Sequence, residues 1–178
     1  GAAVKDGRVY IGDADGRFHC LDAATGKPLW AIATDAEINA CANFYQDKVL
    51  VGSQDGSLTC LTAADGKPVW KYQIDDMVQS SPTIVEHFVF LAGCDSQLHV
   101  IDLDTGKAVN KLDIGGPTGN AAAVAGDQLF FGSQSNIVLG VDWKKPAIAW
   151  EFKSDGRKSP YQSSAAVVDG SVILGGRD

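Results

Sequence analysis

The sequence predicts an all-β fold: a β-propeller of four-stranded antiparallel blades, with about four and a half blades in the chain. Three observations predict it. A 40-residue repeat holds one register in two separate blocks. Each period contains four short apolar or alternating runs divided by turn residues. No run has the 3.6-residue period of an amphipathic helix.

The first block is Leu21-Asp22-Ala23-Ala24-Thr25-Gly26-Lys27-Pro28-Leu29-Trp30. It returns 40 residues later as Leu61-Thr62-Ala63-Ala64-Asp65-Gly66-Lys67-Pro68-Val69-Trp70, and again as Ile101-Asp102-Leu103-Asp104-Thr105-Gly106-Lys107-Ala108-Val109-Asn110. A worn copy runs from Val141-Asp142-Trp143 to Trp150. The second block is Val9-Tyr10-Ile11-Gly12, with copies beginning at Val49, Val89 and Leu129. A fifth copy at Val172 follows after 43 residues, and the extra three fall in residues 154–161. The chain reads as one propeller segment, residues 1–178, with repeats at 1–35, 36–75, 76–115 and 116–158 and a partial repeat at 159–178.

Taken in order, the first strand of each blade is rich in small residues, at 39–45, 79–85, 120–124 and 162–168. Small side chains suit the hub, where neighbouring blades converge. A hairpin turn follows, as Asp6-Gly7 or Asp169-Gly170, because glycine tolerates positive φ. The second strand is continuously apolar, which means burial on both faces. The third strand, such as residues 18–21 or 98–101, follows an Asp-Gly or Asp-Ser turn. The Thr-Gly-Lys turn then leads to a fourth strand that alternates, as in Trp70-Lys71-Tyr72, and suits a half-exposed rim. The tryptophans fall there, where blades splay apart.

Asp22 and Thr25 can bond backbone groups inside their turn, and Gly26 supplies its left-handed residue. Asp102, Thr105 and Gly106 repeat that set; Gly66 and Asp142 keep part of it. Trp30, Trp70 and Trp150 are expected to dock on the neighbouring blade as structural anchors. The third repeat has Asn110 where tryptophan is expected, and the fourth has Pro146 where glycine is expected.

These residues resemble the quinoprotein-type, or pyrroloquinoline-quinone-like, β-propeller repeat, whose tryptophan-docking motif is Leu-Asp-Ala-x-Thr-Gly-Lys-x-x-Trp. The resemblance covers essentially the whole chain. It implies a ring, often of eight blades, so the remaining blades are expected from the rest of a longer chain or from another copy. It also implies a bacterial, periplasmic or extracytoplasmic protein.

Composition narrows the partners. Lys and Arg number 15 against 22 Asp and Glu, a net charge of −7, which argues against nucleic acid and anionic lipid surfaces. No stretch has the length and apolarity of a transmembrane segment. Cys20, Cys41, Cys60 and Cys94 show no CxxC spacing, so zinc is disfavoured and core packing is favoured over a disulfide framework. Cys94, aligned with turn residues, is expected to be the exposed, oxidisable thiol. His19 and His99 occupy equivalent third-strand positions and are expected at the surface or an edge; His87 falls in a turn. Asp13-Ala14-Asp15-Gly16 begins like a calcium loop but lacks the later acidic ligand, and is read as a turn. The glycine-rich stretch at 115–119 lacks a phosphate loop's ending and is read as a linker.

Asn39, Asn43, Gln79, Ser80, Asn120 and Gln162 gather at the starts of first strands and would line one mouth of a central channel. They suit hydrogen bonding and are poor acids or bases. Ordinary hydrated lining is favoured over a ligand site. Arg157 and Lys158, in the inserted loop, are further candidate partner contacts.

Three functions are weighed. A non-enzymatic scaffold for protein partners in the bacterial cell envelope ranks first, with no catalytic residue and no cofactor or metal site assigned. A fragment of a quinone-dependent dehydrogenase, holding pyrroloquinoline quinone and calcium, ranks second; that family's adjacent cysteine pair does not occur in this sequence. A sensor propeller of a larger receptor or kinase ranks third.

Overall fold

The structure is a computed structural model, and it describes residues 1–154 and 159–176. Every regular element in it is a strand. The first sheet holds β1 (Ala2–Lys5), β2 (Arg8–Gly12), β3 (Arg17–Asp22) and β4 (Pro28–Ala33). The second holds β5 (Asn43–Tyr45), β6 (Lys48–Gly52), β7 (Ser57–Thr62) and β8 (Pro68–Gln73). The third holds β9 (Thr83–Val85), β10 (Phe88–Ala92), β11 (Gln97–Asp102) and β12 (Ala108–Asp113). The fourth holds β13 (Ala123–Ala125), β14 (Gln128–Gly132), β15 (Ile137–Asp142) and β16 (Ala147–Lys153). A two-stranded sheet of β17 (Ala166–Val168) and β18 (Ser171–Ile173) follows. Each sheet is an antiparallel meander in chain order, the topology of a propeller blade. No helix among the described residues is long and apolar enough to cross a membrane.

The continuously apolar second strands of the second, third and fourth sheets are buried on both faces because a sheet lies on either side of each, whereas β2 of the first sheet is half-buried apart from Tyr10. Val49, Val51 and Leu61 pack towards Tyr10, Phe18 and Cys20 of the first sheet. Leu50, Leu58 and Cys60 pack the other way, against Val89, Leu91 and Ile101 of the third. Phe90, Leu98 and Val100 repeat the arrangement against Leu129, Phe131 and Leu139. Successive side chains point to opposite faces of a strand, so an uninterrupted apolar run feeds two interfaces.

The innermost strands are shorter than the sequence predicts. Regular pairing begins at Asn43, Thr83, Ala123 and Ala166, not at 39, 79, 120 and 162. Upstream of those points the chain bonds sideways to the next blade. The Ser81 hydroxyl accepts from the Cys41 backbone N–H at 2.9 Å, and Ser164 accepts from Ala121 at 3.3 Å. The Thr83 hydroxyl donates to the Ala122 carbonyl at 3.1 Å. Convergence at the hub brings neighbouring backbones within reach of one short side chain, which replaces the ladder bond.

One feature carries no obvious sequence signal. In all four complete blades the pairing of third and fourth strands slips by one residue at the same place, after Cys20, Cys60, Val100 and Gly140. The unpaired residue on the outer strand is Leu29, Val69, Val109 or Ala149, immediately before the position of the docking tryptophan. A bulge bends the strand and re-aims the next side chain.

Candidate functional site

The rim of each seam is built around the tryptophan position. Trp30 Nε1 donates to the Ala63 carbonyl of the second blade at 3.2 Å, and Trp70 Nε1 donates to the Leu103 carbonyl of the third at 2.8 Å. Each indole lies on the glycine of the turn it meets. A Cβ on Gly66 would come within 2.6 Å of the Trp30 ring, and one on Gly106 within 2.5 Å of the Trp70 ring. Those glycines also have φ of 71° and 69°. Two constraints therefore act there: a left-handed backbone and a flat seat. Gly26, with φ of 70°, meets nothing within 4 Å, so at that turn only the backbone constraint applies.

The turns are held by carboxylates. Asp22 Oδ1 accepts from the Thr25 backbone N–H at 2.8 Å and from its hydroxyl at 2.6 Å. Asp102 does the same for Thr105, at 2.8 and 2.7 Å. The threonine hydroxyl, with backbone N–H bonds, holds each carboxyl below the usual range. The second turn inverts the order: the Thr62 hydroxyl donates to Asp65, and Lys67, 2.7 Å from the Asp65 carboxylate, helps bring that carboxyl down to about 2. Asp142 accepts from the backbone of Lys144 and Lys145 at 2.9 and 3.1 Å.

The third seam departs from this pattern. Asn110 is exposed at the rim. Trp143, in the fourth blade's turn, is buried instead; its Nε1 donates to the Gly126 carbonyl at 3.0 Å, and its ring meets Phe90 edge-on. Trp143 occupies the place of Ala63 and Leu103 in the other turns, a substitution visible in the alignment of repeats but not given weight there. Trp150 lies over Gly140 of its own blade, 5.8 Å from the Phe130 ring, as Trp30 lies 5.8 Å from Tyr10, and is 37% exposed. Of the blade that would receive it, the described residues form only β17 and β18. Arg8 was also missed: its guanidinium donates across the first seam to the Ala63 and Ala64 carbonyls at 2.8 and 2.9 Å.

The mouth residues divide into two groups. Ser80 is buried and donates to the Ala92 carbonyl at 2.7 Å. Asn43 Nδ2 donates to the Pro82 carbonyl at 3.0 Å. Asn120, also buried, donates to the carbonyls of Gly132 and Tyr161 at 3.1 and 2.8 Å, joining the fourth sheet to the next. Asn43 and Asn120 tie neighbouring blades together, and Ser80 ties the innermost segment of the third blade to its own second strand. Gln79 and Gln162, with Asn120, Gly119, Tyr161 and Gln134, line a polar pocket of about 240 Å³. Asn39 is exposed. Arg157 and Lys158 lie outside the described residues.

Two sequence expectations need correction. His99 is not at a surface or an edge: it is fully buried, with Nε2 2.8 Å from Asp95 and Nδ1 3.0 Å from the Tyr72 hydroxyl of the preceding blade. Burial holds its pKa below that of a free imidazole, against the pull of Asp95. Tyr72 supplies the cover that sequence position could not reveal. Its repeat counterpart His19 is half-buried, 2.7 Å from Asp13. Cys94 is not an exposed thiol. It is half-buried against the Thr118 carbonyl, and burial pushes its thiol up, disfavouring the reactive thiolate. Cys20 and Cys60 are buried free thiols, and burial pushes Cys60 up to about 12.

At Asp13, one carboxylate oxygen accepts from the backbone of Asp15 and Arg17, and the other meets His19. Among the described residues no group of three or more His, Cys, Asp or Glu is gathered to hold a metal ion.

Comparison with known proteins places the chain. The family described as outer membrane protein assembly factor BamB matches residues 1–121 and 40–177, overlapping registers of one repeat array. Among solved structures, BamB from Moraxella catarrhalis aligns with a TM-score of 0.81 at 22% identity, over 97% of this chain and 56% of that one. The computationally designed Ika8 protein aligns with a TM-score of 0.83 at 18% identity, over 98% of this chain and 54% of that one. Both likenesses concern the fold, and this chain spans about half of each. Short stretches match dehydrogenases: 46% identity over 37 residues with quinohemoprotein alcohol dehydrogenase ADH-IIG of Pseudomonas putida, covering 21% of this chain and 5% of that protein. The quinone alcohol dehydrogenase subunit of Gluconacetobacter polyoxogenes is 53% identical over 34 residues, 19% of this chain and 5% of that subunit. The chain therefore spans a small part of either enzyme, whereas the first match runs nearly from end to end: this chain belongs to the outer membrane protein assembly factor BamB family.

Proposed function

We propose that this chain is a non-enzymatic propeller scaffold that binds a protein partner in the bacterial cell envelope. The observation that carries the reading is the family match over residues 1–121 and 40–177. The chemistry of the hub agrees with it. Its polar groups are amides and hydroxyls, and Asn43, Ser80 and Asn120 spend theirs on holding blades in place. What remains for a partner is a rigid array with Gln79, Gln134 and Gln162 at one mouth. Such groups recognise peptide N–H and C=O without acid–base chemistry.

The test is site-specific photocrosslinking from position 134 of the intact protein in its own bacterium. A defined protein adduct, lost on Gln79→Ala/Gln162→Ala substitution, is expected. Absence of any adduct, together with dye-linked alcohol oxidation after adding pyrroloquinoline quinone and calcium, would replace this reading with the dehydrogenase one. Only the 34–37-residue matches favour that second reading.

A further inference from the structure

We propose that the seam between the third and fourth blades is a vacant indole seat that accepts an aromatic side chain, tryptophan first, from a protein partner. The identity of the occupant as a protein rests on the scaffold reading; the seat itself rests on the seam.

The first two seams define what such a seat contains. An indole enters from the fourth strand of one blade, lies on the turn glycine of the next, and donates to the backbone carbonyl of Ala63 or Leu103. In the third seam the entering residue is Asn110, which is exposed and leaves the space open. A cavity of about 330 Å³ remains, lined by Phe88, Val100, Val109 and Asn110 from one blade and Trp143, Lys144 and Pro146 from the other. These positions correspond by repeat to those surrounding Trp70 in the second seam. The cavity lies between two complete blades, so it is a property of the array's interior.

Trp143 does not fill the cavity. Its indole, held by the Gly126 carbonyl and edge-on to Phe90, forms one of the walls. Lys144 is held at the rim by Asp127, 2.7 Å away, and by the Trp143 ring. The walls are therefore fixed by contacts of their own. Aromatic and aliphatic walls with an amide at the lip match the pattern of small ligand sites. Pro146 sets the pose. A Cβ at the equivalent glycines would strike the indole, so a ring entering from solvent lies displaced towards Asn110, flat against the proline. An untethered side chain can take that position, where an intramolecular one is bound to the strand.

The test uses 5-fluoroindole followed by fluorine NMR, with N-acetyl-tryptophanamide and N-acetyl-leucinamide as competitors. We expect the fluorine line to shift and broaden with the wild-type protein. N-acetyl-tryptophanamide should reverse the change and N-acetyl-leucinamide should not. In Asn110→Trp/Pro146→Gly, which rebuilds an occupied seat, the change should be lost. Nuclear Overhauser contacts from the probe to the Val100 and Val109 methyls locate the site in the wild type and need no variant. An unchanged line, equal competition by the leucine amide, or contacts elsewhere would overturn the seat. If the seat fails while the photocrosslinked adduct persists, the scaffold reading stands without it. If indole binds here and no adduct forms, the seat stands and its protein occupant is overturned.

Discussion

Replacing Trp70 with alanine removes an indole that joins the second blade to the third. An aromatic ring of this size covers about 150–250 Å², which at ~25 cal/mol per Å² is about 4–6 kcal/mol for full burial. Trp70 is half-buried, so about 2–3 kcal/mol applies on that scale. Its hydrogen bond to the Leu103 carbonyl, at 2.8 Å, adds about 1 kcal/mol. The expected loss is about 3 kcal/mol, near the low end for deleting a large aromatic. For a chain of this length that lowers Tm by about 6–12 °C, read by circular dichroism melting. Trp70→Phe keeps most of the ring contact and forfeits the donor, so it should cost about 1 kcal/mol. A Trp70→Ala melting temperature within about 2 °C of wild type would refute the docking argument, since no rearrangement inside the seam could replace both contact and bond.

The glycine seats give a paired test: Gly106→Ala should destabilise clearly more than Gly26→Ala, because both turns are left-handed but only the Gly106 Cβ meets an indole. Equal melting temperatures would remove the steric half of that explanation. Burial lowers the His99 pKa, so below the ordinary imidazole value near 6.5 the unfolded chain binds the proton more readily than the folded one. Stability from the neutral ring is full above that value and is lost as pH falls through the lower folded pKa. Wild type should therefore lose more Tm between pH 7 and 5 than His99→Gln, and parallel curves would contradict it. Native protein treated with Ellman's reagent at pH 8 should leave Cys60 unlabelled until denaturant is added, because its thiol is buried and pushed up to about 12. Rapid native labelling of Cys60, identified by peptide mapping, would show that the second seam opens.

Much of the fold was legible because a repeat states its rule several times. The 40-residue period, the turn residues and the doubly buried second strands follow from side-chain chemistry that each blade must satisfy anew. The left-handed turn glycines follow from the same repetition, whereas the indoles resting on Gly66 and Gly106 do not show in it. What failed to show was whatever depends on a neighbour. His99 looks like His19 in the alignment, yet Tyr72 from the blade before it seals one and not the other. Asn43, Ser80 and Asn120 look like free channel lining, yet each is engaged with a backbone carbonyl.

By itself the sequence determined the blade: its strand order, its turns and the residue that must be flat or small at each place, since these are local demands of backbone geometry and pattern. Only the tertiary structure decided the seams. There Asn110 brings no indole, Trp143 and Pro146 from the facing blade form walls, and a cavity is left between them. Such outcomes depend on the meeting of two surfaces at van der Waals distance, which no single repeat encodes.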